Sequence, residues 1–86
     1  MSKEIGEEIE FHAKLSSRGR VYVPKRIIER HRLWVGTWVR VTLDFVEFET
    51  QIRSGFSFTI PKHELPALRV ERNALLEVQI TKLKPP

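Results

Sequence analysis

Apolar and polar residues alternate along several short stretches of this chain, and a period of two is typical of half-buried β-strands. Pro24 ends one such stretch, because proline has no N–H to donate to a ladder and its fixed φ suits a helix entrance. Gly19 and Gly36 mark turns, and Gly19 is free to take positive φ. The first half is therefore predicted to contain a strand at 9–15, a turn at 16–19, a strand at 21–23, a helix from 25 to about 31 and a strand at 38–43.

The same pattern recurs 37 residues further along the chain. The letters VYVPK at 21–25 return as FTIPK at 58–62, and the offset holds without a gap from about residue 9 to 46. The second half is predicted to contain strands at 46–52, 56–60 and 75–80, a turn at 54–55, and a helix near 62–68 with Pro66 in its first turn. The matched apolar pairs, expected to form the core, are Ile9/Val46, Phe11/Phe48, Leu15/Ile52, Val21/Phe58, Val23/Ile60, Ile28/Leu65, Leu33/Val70, Val39/Leu76, Val41/Val78 and Leu43/Ile80.

Two units this short cannot each bury a core, so they are expected to share one. The sequence therefore predicts a mainly β, small, six-stranded pseudo-twofold barrel, built from two ββαβ repeats with one short helix each. Residues 1–86 form a single domain, with repeat 1 at about 9–43 and repeat 2 at about 46–80. Residues 1–8 and 84–86 are expected to be frayed ends.

Part of the first copy resembles the AbrB/SpoVT-like transcription factors. That family has Gly-Arg followed by alternating apolar residues and a Pro, and later Leu-x-x-Gly-Asp before a strand. Two segments of this chain are similar to this pattern, GRVYVP at 19–24 and, after the helix, LWVGTWVRV at 33–41. The match covers about 33 residues, and Thr37 stands where the family has Asp. In the second copy Phe56-Ser57 replaces Gly-Arg, and Asn73 replaces the glycine.

That family carries one unit per chain and dimerises by exchanging hairpins, whereas this chain carries two units. A fused pair resembles the related monomeric cradle-loop barrels, most of all the archaeal RIFT barrels. The resemblance implies a monomer that binds DNA through basic residues on the first-strand loops, with Lys14, Arg18 and Arg20 at the matching positions. The second copy offers only Arg53 nearby, so a symmetric two-armed grip on DNA is not implied.

Charge is distributed unevenly along the chain. The formal net charge is +4, and residues 1–43 hold nine Lys/Arg against five Asp/Glu, whereas residues 44–86 hold six of each. This indicates either an anion-binding face in the first half or a solvated surface of the kind found on many small proteins. The basic residues between 14 and 40 are Lys14, Arg18, Arg20, Lys25, Arg26, Arg30, Arg32 and Arg40, with Glu29 as the one acidic residue.

Arg18-Gly19-Arg20 is the sharpest local feature of this run. Two guanidiniums flanking a flexible turn can bind phosphates bidentately, although a basic hairpin turn also has a purely solvating role. Lys25, Arg26 and Arg30 on the helix extend the same surface or merely keep the helix solvated. Trp38 is expected in the core, whereas Trp34 and Tyr22 are expected on the surface.

Several classes of function are disfavoured by what the sequence lacks. There is no cysteine, the three histidines lack metal-ligand spacing, and no apolar run approaches the roughly 20 residues that span a bilayer. No Gly-rich phosphate loop and no nucleophile with its base is recognisable. We therefore expect a cytoplasmic protein with no metal, cofactor or membrane partner, although some relatives of this barrel bind nucleotides or flavins.

These observations lead to one functional hypothesis and one alternative. The hypothesis is a non-catalytic module that binds nucleic acid, DNA rather than RNA, with a role in transcription regulation. Its expected contacts are Lys14, Arg18, Arg20, Lys25, Arg26 and Arg30. The alternative is a protein-interaction or structural barrel that keeps the fold without binding DNA.

Overall fold

The computed structural model describes residues 4–16, 18–44, 46–68 and 74–84. Ser17, Val70, Asn73 and the parts of the predicted frayed ends at 1–3 and 85–86 lie outside these ranges. The described elements are, in chain order, β1 (Glu4–Lys14), β2 (Arg20–Tyr22), α1 (Lys25–His31), β3 (Trp38–Leu43), β4 (Val46–Gln51), β5 (Ser57–Thr59), a 3-10 turn (Lys62–Glu64), α2 (Leu65–Leu68) and β6 (Leu75–Leu83).

The strands form two antiparallel sheets, which confirms a mainly β fold. The larger sheet has the order β1-β6-β3-β4, and the smaller one pairs β2 with β5. The described strands do not form a single closed ladder, and β2 and β5 have only three residues each. The two sheets meet at isolated bridges, Leu15 with Val21 and Arg53 with Ser57.

The registers of three strand pairs can be compared with the 37-residue offset in the sequence. In the larger sheet Phe11 of β1 lies opposite Val78 of β6, and Phe48 of β4 lies opposite Val41 of β3. In the smaller sheet Val21 lies opposite Phe58. At these positions, residues 37 apart in the sequence therefore occupy corresponding places in the ladders.

One cluster of buried apolar side chains draws on every described strand and on α1. Phe11 is buried as predicted, whereas Phe48 is only partly buried, with its ring centroid 6.2 Å from that of Phe58. Ile28 and Leu65 are likewise partly buried against the cluster. The other predicted core residues within the described ranges are all buried, namely Ile9, Val46, Leu15, Ile52, Val21, Phe58, Val23, Ile60, Leu33, Val39, Leu76, Val41, Val78, Leu43 and Ile80.

The first helix has the predicted bounds. Pro24 precedes it with φ −58° and ψ 142°, and Arg32 ends it in the left-handed region with φ 53°. The second helix is divided into the 3-10 turn and α2, and Pro66 is the second residue of α2, which is a first-turn position as predicted. Among the described residues, no helix is both long and apolar enough to cross a membrane.

Three details differ from the predictions made from the sequence. Residues 4–8 were expected to fray, but β1 begins at Glu4, because β6 continues to Leu83 and Glu4 lies opposite it. The polar run Gly6-Glu7-Glu8 breaks the apolar alternation, and the strand pair shifts register between Glu4 and Glu8. Trp38 was expected in the core but is only half-buried, because Val39, Val41 and Leu43 face the core and Trp38 therefore lies on the opposite face of β3.

Candidate nucleic-acid interface

The turn between β1 and β2 holds Arg18 and Arg20 on a network of backbone hydrogen bonds. Gly19 N donates to the Ser16 carbonyl at 3.1 Å, and Ser16 N donates to the Arg20 carbonyl at 3.0 Å. Arg20 N also donates to the Ser16 hydroxyl at 3.0 Å. Gly19 has φ 73°, a conformation that a side chain with a Cβ adopts only at a cost. This backbone is therefore closely specified by Ser16 and Gly19.

Gly19 also anchors the turn to the second half of the chain. Its carbonyl accepts a hydrogen bond from Ile60 N at 2.9 Å, and a Cβ at this position would lie 3.2 Å from Leu65 Cδ1. Gly19 is buried, whereas the side chains of Arg18 and Arg20 are exposed. Two guanidiniums are thus displayed on a fixed turn, which lowers the entropy lost when an anion binds.

Lys14 shares a face with Arg20. Leu15 and Val21 are bridged and buried, so the residues beside them in the two strands point to the opposite, solvent-facing side. Lys14, Arg20 and Tyr22 are all exposed. The structure therefore brings Lys14 and Arg20 to one surface, with Arg18 on the turn between them.

The basic residues of α1 lie beside a different turn. A groove of about 430 Å³ runs between α1 and the turn at 53–56, lined by Val23, Lys25, Ile28, Glu29, Gly55 and Phe56. Lys25 is 4.0 Å from Glu29, so its charge is partly balanced on the helix. Arg26 and Arg30 are exposed, and no described residue forms an ion pair with either. Neither of these two arginines lines the groove.

Arg53 is not among the contacts expected from the sequence, yet the structure places it in a cleft that Arg20 also lines. A cleft of about 630 Å³ is lined by both arginines together with hydroxyl side chains. The turn at 53–56 is closed by Arg53 N donating to the Ser57 carbonyl at 2.7 Å and Phe56 N donating to the Arg53 carbonyl at 2.9 Å. The full lining of the cleft is Arg20, Thr50, Arg53, Ser54, Ser57, Thr59 and Pro61.

The turn at 53–56 joins the two basic areas. Arg20 lies across the cleft on one side of this turn, and Lys25 lies across the groove on the other. The Tyr22 ring, 51% of whose residue surface is exposed, lies 4.0 Å from where a Cβ on Gly55 would be. We call Lys14, Arg18, Arg20, Arg53 and Lys25 the basic surface.

The remaining polar and aromatic features lie elsewhere. Arg40 of β3 faces two carboxylates of β4, Glu47 at 3.7 Å and Glu49 at 3.5 Å, so its charge is balanced within the sheet. Trp34 is 66% exposed, as predicted, and its backbone N donates to Thr37 Oγ1 at 2.9 Å. Within the described ranges, no cluster of three His, Asp or Glu residues could hold a metal ion.

Comparison with known proteins adds a fold relationship and no family. No protein-family model matches the chain, and no curated protein gives a significant match. Among solved structures, the solution structure of PHS018 from Pyrococcus horikoshii is similar, with a TM-score of 0.74 at 17% sequence identity. The similarity covers 90% of this chain and 94% of that one. At this identity the likeness shows that the two proteins share a fold.

Proposed function

We propose that this protein is a non-catalytic module that binds nucleic acid, DNA rather than RNA, and that it acts in the cytoplasm as a regulator of transcription. The observation that carries the proposal is the basic surface, where cations from both halves of the chain surround one turn. Its contacts are Lys14, Arg18, Arg20 and Lys25, joined by Arg53, with Arg26 and Arg30 on α1 as outlying contacts.

The charge balance of this surface supports the proposal. Arg18, Arg20 and Arg53 are exposed, and no described carboxylate forms an ion pair with any of them. A cation that has no partner in the free protein loses little when it binds a phosphate, and it releases the counterions condensed on the nucleic acid. Exposed Tyr22 adds an aromatic face beside these cations, which suits contact with sugar or base.

We also propose that the chain is a fused duplication that closes as a six-stranded barrel, in the manner of the cradle-loop barrels. The matching registers of Phe11 with Val78 and Phe48 with Val41 support the duplication. The isolated bridges Leu15–Val21 and Arg53–Ser57 support closure, because they join the smaller sheet to the segments that follow the two edge strands of the larger one. The hydrogen bonds from Ser16 N to the Arg20 carbonyl and from Arg53 N to the Ser57 carbonyl lie at equivalent places of the two repeats, 37 residues apart.

Titration with duplex DNA, single-stranded DNA and RNA at two salt concentrations tests the proposed function. We expect duplex DNA to bind most tightly, and its affinity to fall as salt rises, because phosphate contacts release counterions. Binding of RNA in preference to duplex DNA would contradict the assignment to DNA. Failure to bind any of the three at low salt would refute the function itself.

A protein-interaction role is the second candidate, and one observation favours it. Trp34 and Val35 are neighbouring exposed apolar residues in the loop before β3, at 66% and 57% exposure. Exposed aromatic side chains are enriched in protein interfaces. Under this reading, Trp34→Ala abolishes partner capture, whereas removing the charges of Arg18 and Arg20 leaves it unchanged. The DNA-binding proposal predicts instead that removing the charges of Arg18 and Arg20 lowers the affinity for DNA, whereas Trp34→Ala leaves it unchanged.

The fused-barrel proposal makes a prediction about oligomeric state. Because one chain contains both halves, it should be a monomer of 10.1 kDa in solution, with no hairpin exchanged between chains. Light scattering coupled to size exclusion, across a range of concentrations, measures the mass directly. An obligate dimer would contradict the proposal.

A further inference from the structure

The cleft beside the turn at 53–56 is assembled from strands that are distant in the sequence. Arg20 of β2 lies opposite Thr59 of β5, and Arg53 is bridged to Ser57 on the other side of β5. The two arginines therefore lie on opposite sides of β5. Two strand spacings of about 4.8 Å, together with an offset of two residues along β5, put their Cα atoms about 12 Å apart. Side chains of this length, both lining one cleft, can converge on a single group.

The chemistry of the lining is that of an anion site. It combines two guanidiniums with the hydroxyls of Thr50, Ser54 and Thr59, and it contains no carboxylate. Ser57 is buried, and its hydroxyl donates to the Ser54 carbonyl at 3.4 Å, so it supports the turn. The cleft offers hydrogen-bond donors in excess and no negative charge of its own.

We propose that this cleft binds a phosphate group, namely a backbone phosphate of the nucleic acid, an assignment that rests on the function proposed above. A phosphate presents several strong acceptor oxygens, and planar guanidiniums bind them bidentately while hydroxyls donate single hydrogen bonds. The first half supplies Arg20 and the second half supplies Arg53, Thr50, Ser54 and Thr59. The site is therefore complete only when both halves pair through β2 and β5.

Charge and geometry can be separated by four single variants measured for duplex DNA affinity at low salt. Arg20→Gln and Arg53→Gln should each weaken binding about 10-fold, since each loses a charge-assisted contact. Arg53→Lys keeps the positive charge but loses the planar guanidinium that binds bidentately, so its affinity should lie between those of the wild type and Arg53→Gln. Thr59→Val removes a hydroxyl at nearly constant shape and should weaken binding about 3-fold with an unchanged salt slope.

Arg32→Gln is the matched control, because it removes the same charge from an exposed arginine away from the cleft. Arg32 ends α1, and its carbonyl accepts a hydrogen bond from Lys82 Nζ at 3.3 Å, near the end of β6. We expect this variant to lose less than about 2-fold in affinity, the effect of one distant charge in solution. Backbone amide spectra of every variant should superimpose on the wild type outside the substituted site, since all these side chains are exposed.

Three results would overturn the assignment in distinguishable ways. If the wild type binds DNA but Arg53→Gln loses no more than Arg32→Gln, the cleft is not a phosphate site while the proposed function stands. If the wild type binds no nucleic acid, the function and the inference fail together. A nucleoside monophosphate serves as the second ligand, and we expect it to bind at least about 100-fold more weakly than the duplex, because one cleft provides only part of the contacts. Equal affinities would identify a free nucleotide as the ligand and overturn the backbone assignment.

Discussion

Replacing Phe58 by alanine should lower the free energy of unfolding by about 3–5 kcal/mol, the typical cost of removing a fully buried aromatic ring. Phe58 has no exposed surface, lies opposite Val21 in the smaller sheet, and contacts the ring of Phe48. A domain of this size is stable by only about 4–13 kcal/mol, so the variant should be close to unfolding at room temperature. Denaturant titration followed by circular dichroism measures the loss.

Two further aromatic substitutions provide the comparison for Phe58. Phe48→Ala should cost less than Phe58→Ala, because Phe48 is only partly buried. Trp34→Ala, at a ring that is 66% exposed, should change stability by less than about 1 kcal/mol. If Phe58→Ala and Trp34→Ala melt at the same denaturant concentration, the core described here is wrong.

Replacing Arg18 and Arg20 together by alanine should abolish most of the affinity for duplex DNA while leaving the fold intact. Both side chains are exposed, whereas the backbone of their turn is held by Ser16, Gly19 and Ile60, which stay unchanged. Each lost phosphate contact should also flatten the dependence of log K on log salt by about 0.9. Affinity measured across a salt series, with thermal melts to check folding, gives both values.

The matched double variant is Arg26→Ala with Arg30→Ala, which removes the same number of charges from α1. It should lose less affinity, because these two arginines line neither the cleft nor the groove. Equal losses from the two double variants would indicate diffuse attraction between charges, without a particular site around Arg18 and Arg20.

The local elements could be predicted from the sequence because short-range chemistry decides them. Pro24 starts α1, the glycine at 19 takes positive φ, and apolar alternation predicts the strands to within a few residues. The N-terminal extension of β1 was not predictable in this way, because the polar run at 6–8 hides the alternation. That extension depends on β6 being long enough to pair with it.

The candidate site was only partly predictable because it depends on which segments pair. Lys14, Arg18 and Arg20 are close in sequence, so a local pattern identifies them. Arg53 lies in the half of the chain whose charges sum to zero, so the distribution of charge along the sequence does not single it out. Only the antiparallel pairing of β2 with β5 brings Arg53 to the cleft that Arg20 lines. The offset of 37 residues relates β2 to β5, and strands that are equivalent in a duplicated fold can pair with each other across its axis.

The salt dependence of wild-type binding to duplex DNA tests the central claim most directly. If Lys14, Arg18, Arg20 and Arg53 each contact a phosphate, log K should fall against log salt with a slope of about −3 to −4. A slope in this range, reduced by about 2 in the Arg18→Ala, Arg20→Ala variant, is the result the account predicts. A slope near zero, or no measurable binding at low salt, would contradict it.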